Sequence, residues 1–575
     1  GFIATKDIVG DLRINGTYYL NNKKEDNNIN IVAKNFSPYK LGIDKENPAR
    51  TLDFEFETVF RGNNIDDIEG DIIAKNIVIS DGVHTDYIHN LTLDVKNKGD
   101  EREIVLGGDF GEAKLNGLFD IKTLGQSFIN VVADKLPSIP GIKANSNTKN
   151  RFEFEGNLRN MELACRILDL PVTIDDNIEI DGFIDDFEHK TELSLICPEL
   201  LVGDNQINNA NIALTTPADS LLADVKFTQT DDNGKPLNIK LAANAADNKL
   251  GVSMLYDASR KNGTKGQLNA DTQFFVDDNE KAAAHIIIHP SSFEFNNNTW
   301  EIQPSDIVYS QNNLIVDHLS LERGKQHFTV YGNATKNESD TLMIDMNGVD
   351  VSDVLDLIDF HSVRFDGDAV GKIQISSAFS KPNASANLTV KNFSMEGGRL
   401  GTLDAKATLS NDDKQIDIDA TALDEDGSTL VGGYISLEDN YIDLDVDAQN
   451  TRLEFIEGFC GSFMNDIDMY GIGQVRVFGD LKDVNLEGKV FANGSLGLKN
   501  LGTHYNLPGD TIVLRPDTIA FLNCPVTDEF GGKGIVRGGV FHKSLKDITY
   551  NINNIIRLIT RFVSIKIRHN KKYFG

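Results

Sequence analysis

Tyr441-Ile442-Asp443-Leu444-Asp445-Val446-Asp447 sets aliphatic side chains at alternate positions and carboxylates between them. Successive side chains of a β-strand point to opposite faces, so this stretch makes one oily face and one wet face. A helix would turn Leu444 away from Ile442 and Val446 and mix acid with aliphatic. Gln415-Ile416-Asp417-Ile418-Asp419 repeats the pattern one strand earlier. Shorter runs of the same kind lie at 238–241, 286–288, 328–331 and 475–477.

Working outward, Asn-Gly and Asp-Gly dipeptides punctuate the chain at Asn15-Gly16, Asn116-Gly117, Asp181-Gly182, Asn233-Gly234, Asn262-Gly263, Asp426-Gly427 and Asn493-Gly494. Such pairs tolerate the positive φ of tight hairpin turns, which predicts an antiparallel meander. Proline is scarce, 14 in 575 residues, as ladders that use most backbone N–H groups require. Three intervals read as short helices that plug the oily face: 125–134, 352–358 with Ser352 as N-cap, and 452–463 with Phe455, Ile456, Phe459 and Phe463 at helical spacing. Val370-Gly371-Lys372-Ile373-Gln374-Ile375 aligns with Ile472-Gly473-Gln474-Val475-Arg476-Val477, and Phe379, Asn383 and Leu388 with Leu481, Asn485 and Val490. A tandem unit of roughly 100 residues is the reading, although strand alternation accounts for part of the match.

Composition narrows function. A formal charge of −31 repels phosphate backbones, which argues against nucleic acid as a partner. Hydrophobic residues make up 40%, too many for general disorder. The four cysteines, Cys165, Cys197, Cys460 and Cys524, form no C-x-x-C pair and read as buried apolar residues. No apolar run is long enough for a membrane span, and the start does not resemble a signal peptide; it begins as if in mid-strand, so the chain reads as a piece of something longer.

No G-x-S-x-G elbow, P-loop, H-E-x-x-H or Rossmann fingerprint occurs, and neither an enzyme nor a cofactor is expected. His285 and His289 share a strand face without a third ligand nearby in sequence. Asp231-Asp232-Asn233-Gly234 and Asp424-Glu425-Asp426-Gly427-Ser428 lack the spacing and final Glu of a calcium loop and read as acidic hairpin turns. An apolar wall without polar motifs fits acyl chains, which need no specific residues. The candidates for such a wall are Ile373, Ile375, Ile416, Ile418, Ile442, Leu444, Val446, Val475 and Val477.

One resemblance is specific enough to name. A short aromatic helix (Leu453-Glu454-Phe455-Ile456-Glu457-Gly458-Phe459) precedes Tyr470-Gly471-Ile472-Gly473-Gln474-Val475-Arg476-Val477-Phe478-Gly479 and Leu486-Glu487-Gly488-Lys489-Val490. Gly494-Ser495-Leu496-Gly497-Leu498, Thr503-His504-Tyr505 and Ile512-Val513-Leu514-Arg515-Pro516-Asp517-Thr518-Ile519 follow. The set resembles the C-terminal half of TamB-type translocation and assembly proteins of the Bacteroidetes form. His289-Pro290-Ser291-Ser292 with Trp300-Glu301-Ile302 is similar to an earlier part of that family. The resemblance implies an all-β, elongated antiparallel β-repeat curled into an apolar trough, the β-taco of AsmA-like and bridge-like lipid transfer proteins. It also implies a cell-envelope protein, anchored in the inner membrane by an N-terminal segment missing here, that moves phospholipid toward the outer membrane. An outer-membrane barrel protein of the TamA/BamA-like type would be its partner in β-barrel assembly.

On this reading the chain divides into β-repeat segments 1–150, 151–288 and 289–360 (the last with a short helix), a repeat unit 361–460, a truncated TamB-like unit 461–552 and a tail 553–575. The tail holds Arg557, Arg561, Lys566, Arg568, Lys571 and Lys572 and no acid. It reads either as a basic segment for anionic lipid or as a change of reading frame, and the pattern's mid-strand stop favours the latter. The competing class for the whole chain is a surface adhesive or carbohydrate-binding β-repeat protein. Sugar platforms recruit Trp and Tyr, whereas this chain has one Trp, 13 Tyr and 32 Phe.

Overall fold

The structure is a computed structural model. It describes residues 1–575 except 8, 20–24, 63–67, 160, 168–171, 175–176, 204, 231–234, 259–264, 279, 296–297, 358–362, 411–413, 482, 500–501, 544–545, 559–560 and 570–575, with side chains left undescribed at 5–7, 167, 295, 357, 410, 543, 546–548, 550 and 552–569. The protein is all-β and antiparallel, with four short α-helices among the described residues. It forms two compact units, Gly1–Thr299 and Trp300–Gly575.

In the first unit the ladder aligns apolar positions strand after strand. Directly paired residues run Thr58, Ile72, Leu93, Leu106, Ala113, Gly156, Ile180, Leu195, Ile212, Val225, Leu241, Met254 and Leu268. A one-residue slip anywhere would throw the following strands onto the wrong face, so the alternation itself fixes the register. The expected first helix forms as Leu124–Lys135 and ends before Pro137. It lies on this oily face. Val131, fully buried, packs with Phe152 and Ile184, while Leu136 packs with Leu221 and Ala245.

The second unit is built the same way, from Asn313–Arg323 onward. The strands at 328–331 and 475–477 form as expected within Gln326–Ala334 and Met464–Asp480. The two aligned repeats, Phe365–Ser376 and Met464–Asp480, each follow a short helix at the same margin of the sheet, Val351–Leu357 and Ile456–Cys460. The sheet curls there: a Cβ on Gly398 would stand 2.1 Å from the Phe455 backbone nitrogen, three strands further on. The basic tail continues the ladder through its described backbone, with Lys546–Leu558 paired to Arg561–His569.

Several local expectations change. Four of the Asn/Asp-Gly pairs, at 15–16, 116–117, 181–182 and 493–494, sit inside strands rather than in turns. Their glycines serve close approach instead. A Cβ on Gly182 would lie 2.1 Å from the Glu192 carbonyl oxygen and 2.9 Å from the Phe154 ring, so the glycine makes room for a neighbour's aromatic side chain. Asp426-Gly427 does lie in a turn, and Asn233-Gly234 and Asn262-Gly263 lie outside the described residues. The cap of Val351–Leu357 is not Ser352. The Asp350 carboxylate accepts from the Ser352 N–H at 3.0 Å and from its hydroxyl at 2.9 Å, placing Ser352 inside the helix. The helix expected over 452–463 shrinks to Ile456–Cys460, because Arg452 still pairs with Tyr470 at the end of Tyr441–Arg452.

Candidate functional site

The register of the second unit gathers the nine wall candidates on one face, in three adjacent cross-strand rows. One row runs Leu319, Val330, Ile344, Ile373, Ala386, Ala407, Ile418, Gly433, Leu444, Val477, Leu486. Beside it runs Leu342, Ile375, Ala384, Leu409, Ile416, Ile435, Ile442. On the other side lies Leu388, Ala405, Ala420, Val431, Val446, Val475. Alanine and glycine stand opposite Ile and Leu, so large side chains have neighbours to lie across. Gly433 is the tightest of these positions: its φ is +145°, and a Cβ would meet the Asp443 carbonyl oxygen at 2.1 Å.

Burial along these strands is graded. All nine candidates are half-buried. Toward the helical margin the same face closes: Ala369, Ala422 and Ala448 are 4%, 3% and 7% exposed. Val390 and Phe393 pack there with Ala369 and Ala422 beside Val351 of the first margin helix. Leu453, Ile467, Met469 and Ala492 form a second buried cluster with Phe455 and Ile456 against it. The extensive contacts among the described residues join ladder neighbours, margin helices, and Gly398–Ser410 with Tyr441–Arg452 across the curl. The helices thus dry one margin and leave the middle of the wall as a half-open apolar surface.

The opposite face carries charge of alternating sign. Asp345 pairs with Lys372 at 3.1 Å, Lys406 stands across from Asp419, and Asp445 across from Arg476. Arg476 also grips Asp443 through two bonds of 2.7 and 2.6 Å and holds that carboxyl below the usual range. The acidic turn at 424–428 is a guanidinium site. Arg452 donates to Asp424 at 2.8 Å, Asp426 at 2.9 Å and Glu454 at 3.1 Å, and stacks over Tyr470, while Arg399 adds a second contact to Asp424. Burial pushes the Asp424 carboxyl upward, but the Glu425 N–H and the two arginines outweigh it and hold it low.

The remaining candidates resolve individually. His289, one residue past strand Ala282–Ile288, continues the ladder through its N–H to the Asn269 carbonyl at 2.9 Å and so keeps the face of His285; its ring meets Asp271 at 3.1 Å. The acidic turn at 231–234 lies outside the described residues. All four cysteines are buried. Trp300 is buried under Arg323, whose guanidinium lies 5.0 Å from the ring. Sequence reasoning missed the small members of the wall, Ala384, Ala386, Ala405 and Ala407, because alanine weakens an aliphatic alternation. Parity with Leu388, Val390, Leu403 and Leu409 was the available signal. It also named no wall residue in the first unit. No protein-family model, curated protein or solved structure matches the chain.

Proposed function

We propose that the apolar wall of the second unit is a groove for lipid acyl chains, and that the protein moves phospholipid through a cell envelope in the manner of the TamB family. The observation that carries this is the continuous band of half-buried aliphatic residues, bounded by charge on its far face and by helices at one margin. Moving an alkyl chain from water onto such a surface gains roughly 0.8 kcal/mol per buried methylene, without any directed bond. That chemistry suits a cargo that slides. The anchor, the inner-membrane attachment and the barrel partner of the TamA/BamA-like type belong to the same proposal through the resemblance of 453–519. The carbohydrate-binding alternative loses its best platform, since the sole Trp is 5% exposed.

The test places a photoreactive side chain at Ile373 or Val475 and reads lipid adducts by mass spectrometry, in the parent and in Ile418→Asp and Leu444→Asp. Adducts in the parent that vanish in folded Asp variants are expected, because an unpaired carboxylate among alkyl chains costs several kcal/mol. A parent that never captures lipid, with Asp variants unfolded by circular dichroism, would make the wall an ordinary core.

A further inference from the structure

The helix Leu124–Lys135 is held onto the first unit in two unlike ways. One side is dry: Phe128, Val131 and Val132 sit on inner-face residues that continue the same strands as the central apolar row. Beside it, one turn apart, Ser127 and Asn130 make a polar side. Asn130 donates to Asp186 at 2.8 Å, Ser127 donates to Asp186 at 3.3 Å, and Asn150 donates to Ser127 at 2.7 Å. Past the end, the Asn248 N–H donates to the Lys135 carbonyl at 2.9 Å, and its side chain accepts from the Ser138 N–H at 2.8 Å. Ser127, Asn130, Asn150 and Asp186 are each 5% exposed or less.

The two kinds of contact differ in what can replace them when the helix lifts. The Asp186 carboxylate is taken out of water with neutral side-chain donors, a setting that hydration on opening would relieve. Water can replace the polar contacts of Ser127, Asn130 and Asn248. Only another apolar body can replace the contact of Phe128, Val131 and Val132. We propose that Leu124–Lys135 is a displaceable lid, and that the wall beneath it, formed by Phe152, Ile184, Leu221, Ala245, Leu250 and Phe274, is a binding site for a single acyl chain that competes with the helix. The proposal rests on the acyl-groove reading and gives the first unit an acyl site of its own.

Hydrogen–deuterium exchange on the full chain, with and without oleate, tests it. In the parent, amides of 124–135 are expected to exchange about tenfold or more faster than those of Lys190–Val202 and Leu221–Thr230, because the helix opens without the sheet. Oleate should raise the helix rate further and leave the strands unchanged. Asn130→Asp sets a second carboxylate against Asp186 and should open the lid outright. Asn248→Gly, which keeps the positive φ of its hairpin turn and removes the side-chain anchor, serves if that variant does not fold. Helix and strand amides exchanging at one common rate, or a helix indifferent to oleate, overturns the lid. A photoreactive side chain at Ile373 separates the two readings. Oleate that frees the helix yet never labels position 373 leaves the lid and removes the second unit's groove; labelling with an unmoved helix does the reverse.

Discussion

At the residue scale, Arg452 shows how the wet face is held. Its guanidinium is mostly buried and serves three carboxylates, one of them the 8%-exposed side chain of Asp424. Arg452→Met leaves Asp424 with Arg399 as its remaining cation, so a cost of about 1–3 kcal/mol is expected. Denaturant titration at neutral pH measures this. The Asp424 carboxyl is held low in the fold, so its contribution is present above its unfolded pKa of 3.8 and is lost as pH falls through the lower folded value. The parent should therefore lose stability below about pH 4, and Arg452→Met should lose less there. His542 works on a higher window. It is buried, and burial lowers its pKa from 6.5, so the unfolded chain takes up a proton that the folded one refuses. Stability falls as pH drops through 6.5, and His542→Gln should flatten that slope.

At the scale of elements, the strands were legible and the turns were not. Alternation at 415–419 and 441–447 identified strands and their inner faces, because side-chain parity is a local property of an extended backbone. The Asn-Gly and Asp-Gly pairs misled because glycine answers two needs with the same lack of a side chain. In a turn it supplies φ; in a curled ladder it admits a neighbour's atoms. Gly182→Ala separates them, since a Cβ there would collide with the Glu192 carbonyl and the Phe154 ring. A loss of about 2–4 kcal/mol is expected, against about 1–2 kcal/mol for a glycine in an open turn such as Gly203, where φ is +60° but nothing stands within 4 Å. Thermal unfolding of the two variants side by side measures the contrast.

At the scale of the molecule, the charge of −31 bears on association with charged partners rather than on the fold. If lipid is the cargo, uptake of an acyl probe from anionic vesicles should be slow at low salt and accelerate as salt shortens the screening length toward about 8 Å. Uptake from zwitterionic vesicles should be indifferent to salt. Stopped-flow fluorescence with both vesicle types reads the difference, and equal salt dependence would detach the net charge from lipid acquisition.

The sequence by itself determined strand identity, the two-faced character of the sheet, the near absence of helix and the position of Leu124–Lys135, because each follows from spacing along a few residues. Only the tertiary structure decided that Ile373, Ile418, Leu444 and Val477 share one cross-strand row, since register depends on pairing between strands and not on any one of them. It also decided that this row stays half-buried while Ala369, Ala422 and Ala448 close under the margin helices. Parity along a strand says which face a residue takes. How far that face is covered depends on where distant segments come to rest.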